Sequence, residues 1–429
     1  MADILVLGAT GYTGQLVTKY LSEHPQRSSF TLGVGARSKG KLSELKKKLR
    51  FDDSVKEFVV DVTKYDEVYS VVQHAKVVIN AVGPFWRWGT TVVKACAHHG
   101  VHYVDLSGEP HWIRDIILEY DYLASKTHAI IIPACGFDSV PSDISVYLSN
   151  QTLKKVAGPE ATIDESVSGF RLKAAISGGS FQTLISMLEE VPLAKLRRAM
   201  QNWSLSTAIQ GARYKFNKIL YTLPLSDPPV YGGRYFMAGA NRAIVQRTWG
   251  INELRAMETT SADARIHAYG PKFKYDEFKV CESKLSSVIL SLGLAFTAVV
   301  LLIPPFRWLF KRIIPAPGEG PSEHQLQTGF LEVTNVTSSV AAPGKPPTHV
   351  RTVFRGAGDP GYALAAVMIA EGALALLLAH GALPEHVREG GVLTPASALG
   401  DVLVQRLRES GRFEIESGVV DAVESRKTR

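Results

Sequence analysis

Short apolar runs alternate with helical patterns over roughly the first 145 residues of the chain. The runs at residues 4–7, 30–36, 58–62, 76–81, 102–105 and 129–133 are short and almost continuously apolar, which suits strands buried on both faces. Between them, residues 15–21, 41–50, 65–74, 90–99 and 112–126 repeat apolar positions at helical spacing. Strand and helix in regular alternation predict an α/β fold with a parallel, doubly wound sheet.

After residue 143 the alternation stops. Residues 143–153 read as a helix leading away from the first domain, 166–176 as a strand and 182–200 as one helix with a basic end. Further strands are expected at 243–247, 265–270, 328–340 and 348–355, the last two antiparallel. Residues 213–235 are turn-rich and suggest no clear element. An alanine-rich core helix is expected at 362–380, and a turn at 390–396 feeds a helix ending near residue 410. The tail after Gly418 is polar and reads as frayed. This half predicts an α+β second domain.

Residues 285–303 contain only apolar or small uncharged side chains, and 19 of them reach the ~20 needed to cross a bilayer as a helix. Pro304-Pro305 ends the stretch, and Phe306, Arg307, Trp308, Lys311 and Arg312 then mix aromatics with cations. Core burial is one reading. The preferred one is a shallow, membrane-associated hairpin turning at the two prolines, with the basic aromatic arm at the interface. Residues 315–321 read as a stiff linker or lid. The expected division is 1–145, 146–284, a hydrophobic insertion at 285–314, and 315–429, and the family resemblance set out below implies that the last part returns to the first domain.

The first strand runs into Gly8-Ala9-Thr10-Gly11-Tyr12-Thr13-Gly14 and then a helix. Strand, glycine turn and helix in that order mark a dinucleotide site, because the turn admits a pyrophosphate and the helix start supplies N–H donors. The second strand ends at Arg37 and Ser38, where an arginine accommodates the 2′-phosphate, so NADP(H) is expected rather than NAD. Asp61 after the third strand can accept from adenine or cap the next helix. Asn80-Ala81-Val82-Gly83-Pro84, after the fourth, lets the chain pass close to the cofactor.

Glu109 and Asp138 follow the fifth and sixth strands, where such sheets bind ligands, and are the candidate proton donors; helix capping is the competing role for both. Tyr122 and Lys126 match a Y-x-x-x-K spacing, yet they fall at the far end of a helix, away from any nicotinamide. His98, His99 and His102 offer no metal-ligand spacing, and no metal is expected.

Lys and Arg number 48 against 41 Asp and Glu, an excess too modest and too dispersed to suggest nucleic acid. Three scattered cysteines suit a reducing compartment, and a strand beginning at once leaves no room for a leader, so a cytosolic chain is expected.

The ordered set Gly8–Gly14, Gly35-Ala36-Arg37-Ser38, 80–84, 103–109, 135–141, 178–180, 317–321 and 390–395 resembles the saccharopine dehydrogenase-like oxidoreductases, including their trans-acting enoyl reductase branch. The resemblance covers most of the chain. It implies an N-terminal NADP-type Rossmann domain and association with membranes or lipid droplets, on the cytosolic face and at the endoplasmic reticulum or droplet surface. No clear set of arginines matches those that hold saccharopine's carboxylates, so the family name does not supply the substrate. Three functions follow: an NADPH-dependent reductase of an enoyl or keto lipid or glycolipid intermediate, a catalytically silent NADP-binding scaffold or redox sensor, and an imine reductase acting on an amino acid. A homodimer is left open.

Overall fold

The computed structural model describes residues 1–51, 54–175, 178–259, 261–312 and 320–420. The expected linker at 315–321 and the polar tail therefore lie largely outside the described residues. Strands β1 (Ala2–Leu7), β2 (Leu32–Ala36), β3 (Lys56–Val59), β4 (Ala75–Asn80), β5 (His102–Asp105) and β6 (Ile130–Ile132) come from the N-terminal third. They are followed by β7 (Ile163–Lys173), β8 (Tyr221–Thr222), β9 (Tyr231–Arg234), β10 (Lys274–Cys281), β11 (Phe330–Ser339), β12 (His349–Ala357), β13 (Gly391–Val392) and β14 (Phe413–Val419).

One sheet has the order β13-β6-β5-β4-β1-β2-β3 and the other β14-β12-β11-β7-β10-β9-β8. Every pairing in the first is parallel, from Leu7 beside Gly35 and Asn80 to Gly391 beside Ile130. Its order reverses at β1, between β2 and β4, and that switch point is where open α/β sheets bind ligands. The second sheet is mixed: β10 runs parallel to β7, while β11, β12 and β14 pair antiparallel.

The C-terminal part is built into the first sheet as well as the second. The helix Ala365–Leu378 lies against β4, β5 and the helix Tyr12–Ser22. Its Glu371 is buried and accepts from the Tyr20 hydroxyl at 2.5 Å and from Arg406 Nε at 2.8 Å; His24 Nε2 lies 3.0 Å away. Because Arg406 sits on the helix Pro395–Glu409, this one carboxylate ties three helices together.

Three expectations for the second half need correction. Residues 182–200 form two helices, Gly178–Glu190 and Leu193–Ala199, since Pro192 cannot continue the first. Residues 243–247 belong to the helix Ala238–Glu258, which is buried on nearly all sides and so shows no 3.6-residue polarity signal. Residues 265–270 contain the end of the helix Ala262–His267; the strand lies further on, at β10. After the helix Pro395–Glu409 the chain adds β14 as an edge strand, in a stretch for which the sequence suggested no element.

The apolar stretch forms the helix Lys284–Leu301, followed by the helix Pro304–Lys311 with its two prolines in the first turn. It packs through small residues. Ser291 Oγ accepts from Arg234 N at 2.9 Å and donates to the Ile219 carbonyl at 2.6 Å, and Ser287 is also buried. The other face is open: Leu285, Ile289, Leu292, Phe296 and Val299 are exposed at alternating four- and three-residue steps. Only 17% of this helix is buried, against 78% of the equally apolar segment Pro360–Leu378, so length and hydropathy alone do not distinguish a surface helix from a core helix.

Replacing Glu371 with alanine leaves the Arg406 guanidinium, 10% exposed, without its carboxylate. A loss of about 3–5 kcal/mol in unfolding free energy is expected from urea titration; a loss under about 0.5 kcal/mol would show that the clamp contributes nothing.

Candidate functional site

The glycine turn closes because three residues carry no side chain. Gly8 adopts φ +78°, and a Cβ there would lie 2.8 Å from Val82 Cγ2 and 3.1 Å from the Ala81 backbone. At Gly14 a Cβ would come within 2.1 Å of the Gly8 carbonyl oxygen, so helix and turn could not meet. Gly11 caps the helix Tyr12–Ser22 without any side-chain acceptor. The first-turn N–H groups therefore gain no acceptor from the cap, which suits an anion at the helix start. Ala9 is buried beneath the turn, whereas Thr10 and Thr13 are half-buried at its rim. Tyr12 is held from the C-terminal side: its hydroxyl donates to the Pro321 carbonyl at 2.6 Å and its ring meets Tyr362 edge-on at 5.2 Å.

Arg37 is exposed immediately after β2, and Ser38 caps the following helix by accepting from Lys41 N at 3.3 Å. Asp61 accepts from Thr63 N at 3.0 Å and Thr63 Oγ1 at 2.8 Å, closing a local turn rather than capping the helix Tyr65–Val72, whose cap is Lys64. Those two bonds lower its pKa, and the Arg37 charge adds to the effect. Arg37 and Asp61 thus share the β2–β3 corner.

At the β4–β6 end a buried chain of polar groups sets the loops. Asn80 Oδ1 accepts from Val82 N at 3.1 Å and its Nδ2 donates to Tyr103 Oη at 3.1 Å. The Tyr103 hydroxyl donates to Asp105 Oδ2 at 2.7 Å, while Asp105 Oδ1 accepts from Ser107 N and Ala134 N at 2.8 and 2.9 Å. Burial raises Asp105 to about 6, against these hydrogen bonds. Asn80 therefore shapes the 80–84 turn from beneath, and Gly83 is its exposed point.

Glu109 is 3% exposed, and both its oxygens are engaged. Oε1 accepts from Phe85 N at 3.0 Å and Oε2 from Trp86 N at 2.6 Å, so it caps the helix Phe85–His99, which starts after Pro84. Burial lifts its pKa to about 7 even though these donors pull it down. Asp138 differs. It accepts a short hydrogen bond from the Tyr235 hydroxyl on Oδ1 and makes no side-chain cap to the helix Ser139–Ala157. Burial raises it to about 8, the Tyr235 bond opposes this, and the charge of Glu277 reinforces it. Tyr235 stacks on Phe170 at 4.9 Å, so the second sheet positions the pair.

Behind Asp138 lies a second buried acid. Glu277 accepts from Asn241 Nδ2 and Ser142 Oγ at 2.7 Å each and from Tyr275 Oη at 2.6 Å; burial raises it to about 7. Ser139 Oγ donates to Asn241 Oδ1 at 3.1 Å, linking the two acids through neighbouring residues. Neither Tyr235 nor Glu277 was marked by the sequence: the first closes the turn-rich stretch 213–235, which suggested no element, and the second lies within β10. Cys135 is buried in the core with its thiol pushed up, and Tyr122 is 75% exposed near the end of the helix Pro110–Thr127.

A parallel sheet whose switch point carries a glycine cradle, an arginine at the second strand and no acidic residue in its place defines a Rossmann-type NADP(H)-dependent oxidoreductase. Residues 4–132 match the saccharopine dehydrogenase NADP binding domain. A Mycobacterium tuberculosis protein provisionally named a trans-acting enoyl reductase is 31% identical over 95% of this chain and 96% of its own length. The trans-acting enoyl reductase of Mycobacterium bovis is 29% identical over the same shares. Apo saccharopine dehydrogenase (L-Glu forming) from Saccharomyces cerevisiae shares the fold, with a TM-score of 0.51 at 12% identity, covering 98% of this chain and 100% of that one. The chain belongs to the saccharopine dehydrogenase-like oxidoreductases, in the branch with the trans-acting enoyl reductases, and its cofactor is NADP(H).

Buried acids give the fold an unusual pH response. Glu109, Asp143 and Glu277 are raised to about 7 and Asp138 to about 8, all chiefly by burial. The native state therefore keeps protons that the unfolded chain has already lost, and stability falls as pH rises through this window. Below pH 6.5 the buried histidines His102, His111 and His386, each lowered to about 4, act in the opposite sense. The urea midpoint is expected to fall between about pH 6.5 and 8; a midpoint that climbs over that interval would contradict these protonation states.

Proposed function

We propose that the protein reduces a hydrophobic, lipid-type acceptor, an enoyl or keto lipid or glycolipid intermediate, while seated on the cytosolic face of a membrane or lipid droplet. The observation that carries this reading is the open apolar face of the helix Lys284–Leu301. Exposed patches of this extent on a folded chain mark an interaction surface. The face contains no charge along its length, while Arg307, Lys311 and Arg312 gather beyond its end, where Arg312 lies 3.8 Å over the Trp308 ring. An apolar stripe followed by cations and aromatics suits a phospholipid interface.

NADPH, when bound, supplies the hydride. Gly8 to Gly14 would receive the pyrophosphate, Arg37 the 2′-phosphate, and the 80–84 turn would bound the ring end of the cleft. Asp138 is the proton donor in this account. Burial raises its pKa to about 8, so it keeps a proton at neutral pH, and Oδ2, which has no hydrogen-bond partner among the described residues, is the oxygen free to hand one on. Glu109 is assigned a positioning role, since both its oxygens hold the helix that follows the 80–84 turn.

Three measurements test the reading. Arg37→Ala is expected to weaken NADPH binding roughly tenfold or more in calorimetry and to leave NADH unchanged; equal loss for both would remove Arg37 from the 2′-phosphate site. With 4-deuterated NADPH and extracted lipids in vesicles, deuterium should appear in a lipid product. Asp138→Asn should slow that transfer about 100-fold or more without changing NADPH affinity. Tight cofactor binding with no label in any lipid would favour the silent scaffold, and turnover of a soluble imine without vesicles would favour the amino-acid reductase.

A further inference from the structure

Where β5 runs into its helix, the helices Pro110–Thr127 and Leu193–Ala199 face one another across a cleft of about 320 Å³. Its polar lining is His111, Arg114 and Asp115 from the first helix and Lys195 and Arg198 from the second. Lys195 and Asp115 form an ion pair with each other. Arg114 and Arg198 have no ion-pair partner among the described residues. Burial lowers Arg114, and Arg198 lowers it further by like-charge repulsion. Two guanidinium groups are thus held together in a shared concavity with the neighbouring carboxylate already taken.

His111 supplies an independent observation. It is 3% exposed, it lines the same cleft, and its Nε2 has no hydrogen-bond partner. A buried ring nitrogen of this kind is costly unless something in the cleft bonds to it. Burial, and then the Lys195 charge, holds the imidazole neutral, so it offers one N–H without adding a full charge. Asp115, Lys195, Arg114 and Arg198 are the charged groups facing it.

We infer that this cleft binds the phosphate of a phosphorylated ligand, either a soluble phosphate ester or a phospholipid headgroup. Two planar guanidinium forks and an imidazole N–H offer more donors than the two oxygens of a carboxylate can satisfy, whereas a phosphate presents three or more. The cleft is also larger than a bare anion requires, leaving room for the ester group. None of the residues lining it belongs to the glycine turn; its first wall is the start of the helix that follows β5. Its second wall connects to the apolar hairpin: the helix Gly178–Glu190 ends three residues before Leu193, and there Leu188 and Glu189 hold Arg307 and Lys311. Leu193 and Met200, which flank the lining residues Ala194 and Ala199 in sequence, are 44% and 45% exposed.

The test uses the full chain with labelled histidine, saturated with NADPH so that the glycine turn is occupied. The His111 imidazole signal, assigned by its absence in His111→Gln, is followed while inorganic phosphate is added, and separately vesicles of phosphatidylcholine with or without phosphatidylserine. The expected result is a saturable shift of that signal with one probe, a rise of the His111 pKa by about one unit or more, and roughly tenfold weaker binding in Arg198→Ala. Arg198 is exposed, so its substitution leaves the fold intact. A response to inorganic phosphate identifies a soluble ester; a response confined to phosphatidylserine vesicles identifies a headgroup. A His111 signal indifferent to every probe, or equally responsive in Arg198→Ala, overturns the inference.

Discussion

The approach of the first helix to the first strand is the constraint on which the remaining architecture depends. A side chain at residue 14 would collide with the Gly8 carbonyl, and one at residue 8 would collide with the turn after β4. Both contacts sit at the point where the strand order reverses. The absence of side chains therefore does two things at once: it opens a cradle for a pyrophosphate and it lets β1, β4 and their loops meet closely enough to form one binding edge. The tertiary structure reinforces this edge from far away in sequence. Gly320 packs against the Tyr12 ring, the Pro321 carbonyl accepts from its hydroxyl, and Glu371 grips the far end of the same helix through Tyr20, with His24 just beyond it.

Along that edge, burial divides the acids by partner. Glu109 is buried and fully occupied by backbone N–H groups, so its role is architectural even though its pKa is shifted. Asp138 is buried with one oxygen committed to a hydroxyl, and Glu277 beyond it disfavours a second negative charge. A shifted pKa alone would not separate these two carboxyls. The count of hydrogen bonds on each oxygen does.

The N-terminal sheet was almost wholly legible in the sequence, because buried parallel strands write continuous apolar runs and their helices write a 3.6-residue period. The glycine turn and the place of Arg37 directly after β2 were legible for a similar reason: both are set by neighbours along the chain. Strand β13 was not, since two residues, Gly391 and Val392, complete the sheet only through tertiary contact with Ile130 and Ile131. The helix Ala238–Glu258 was misassigned because it is surrounded by protein and shows no polar face. Tyr235 and Glu277 were missed because what distinguishes them is the partner each meets across the fold, Asp138 for one and Asn241, Ser142 and Tyr275 for the other. The exposure of the apolar helix was anticipated from its composition and flanking cations, although Pro360–Leu378 shows that the same composition also serves a core.

The proposed reaction requires the ring end of NADP(H) to meet Asp138 and Tyr235 beyond the ends of β4, β5 and β6. A crystal structure with NADP⁺ bound tests it most directly. The expected result is the adenosine 2′-phosphate on Arg37 and the nicotinamide C4 facing a space bounded by Asp138 Oδ2. A nicotinamide directed away from Asp138, or a cofactor with its 2′-phosphate remote from Arg37, would contradict it.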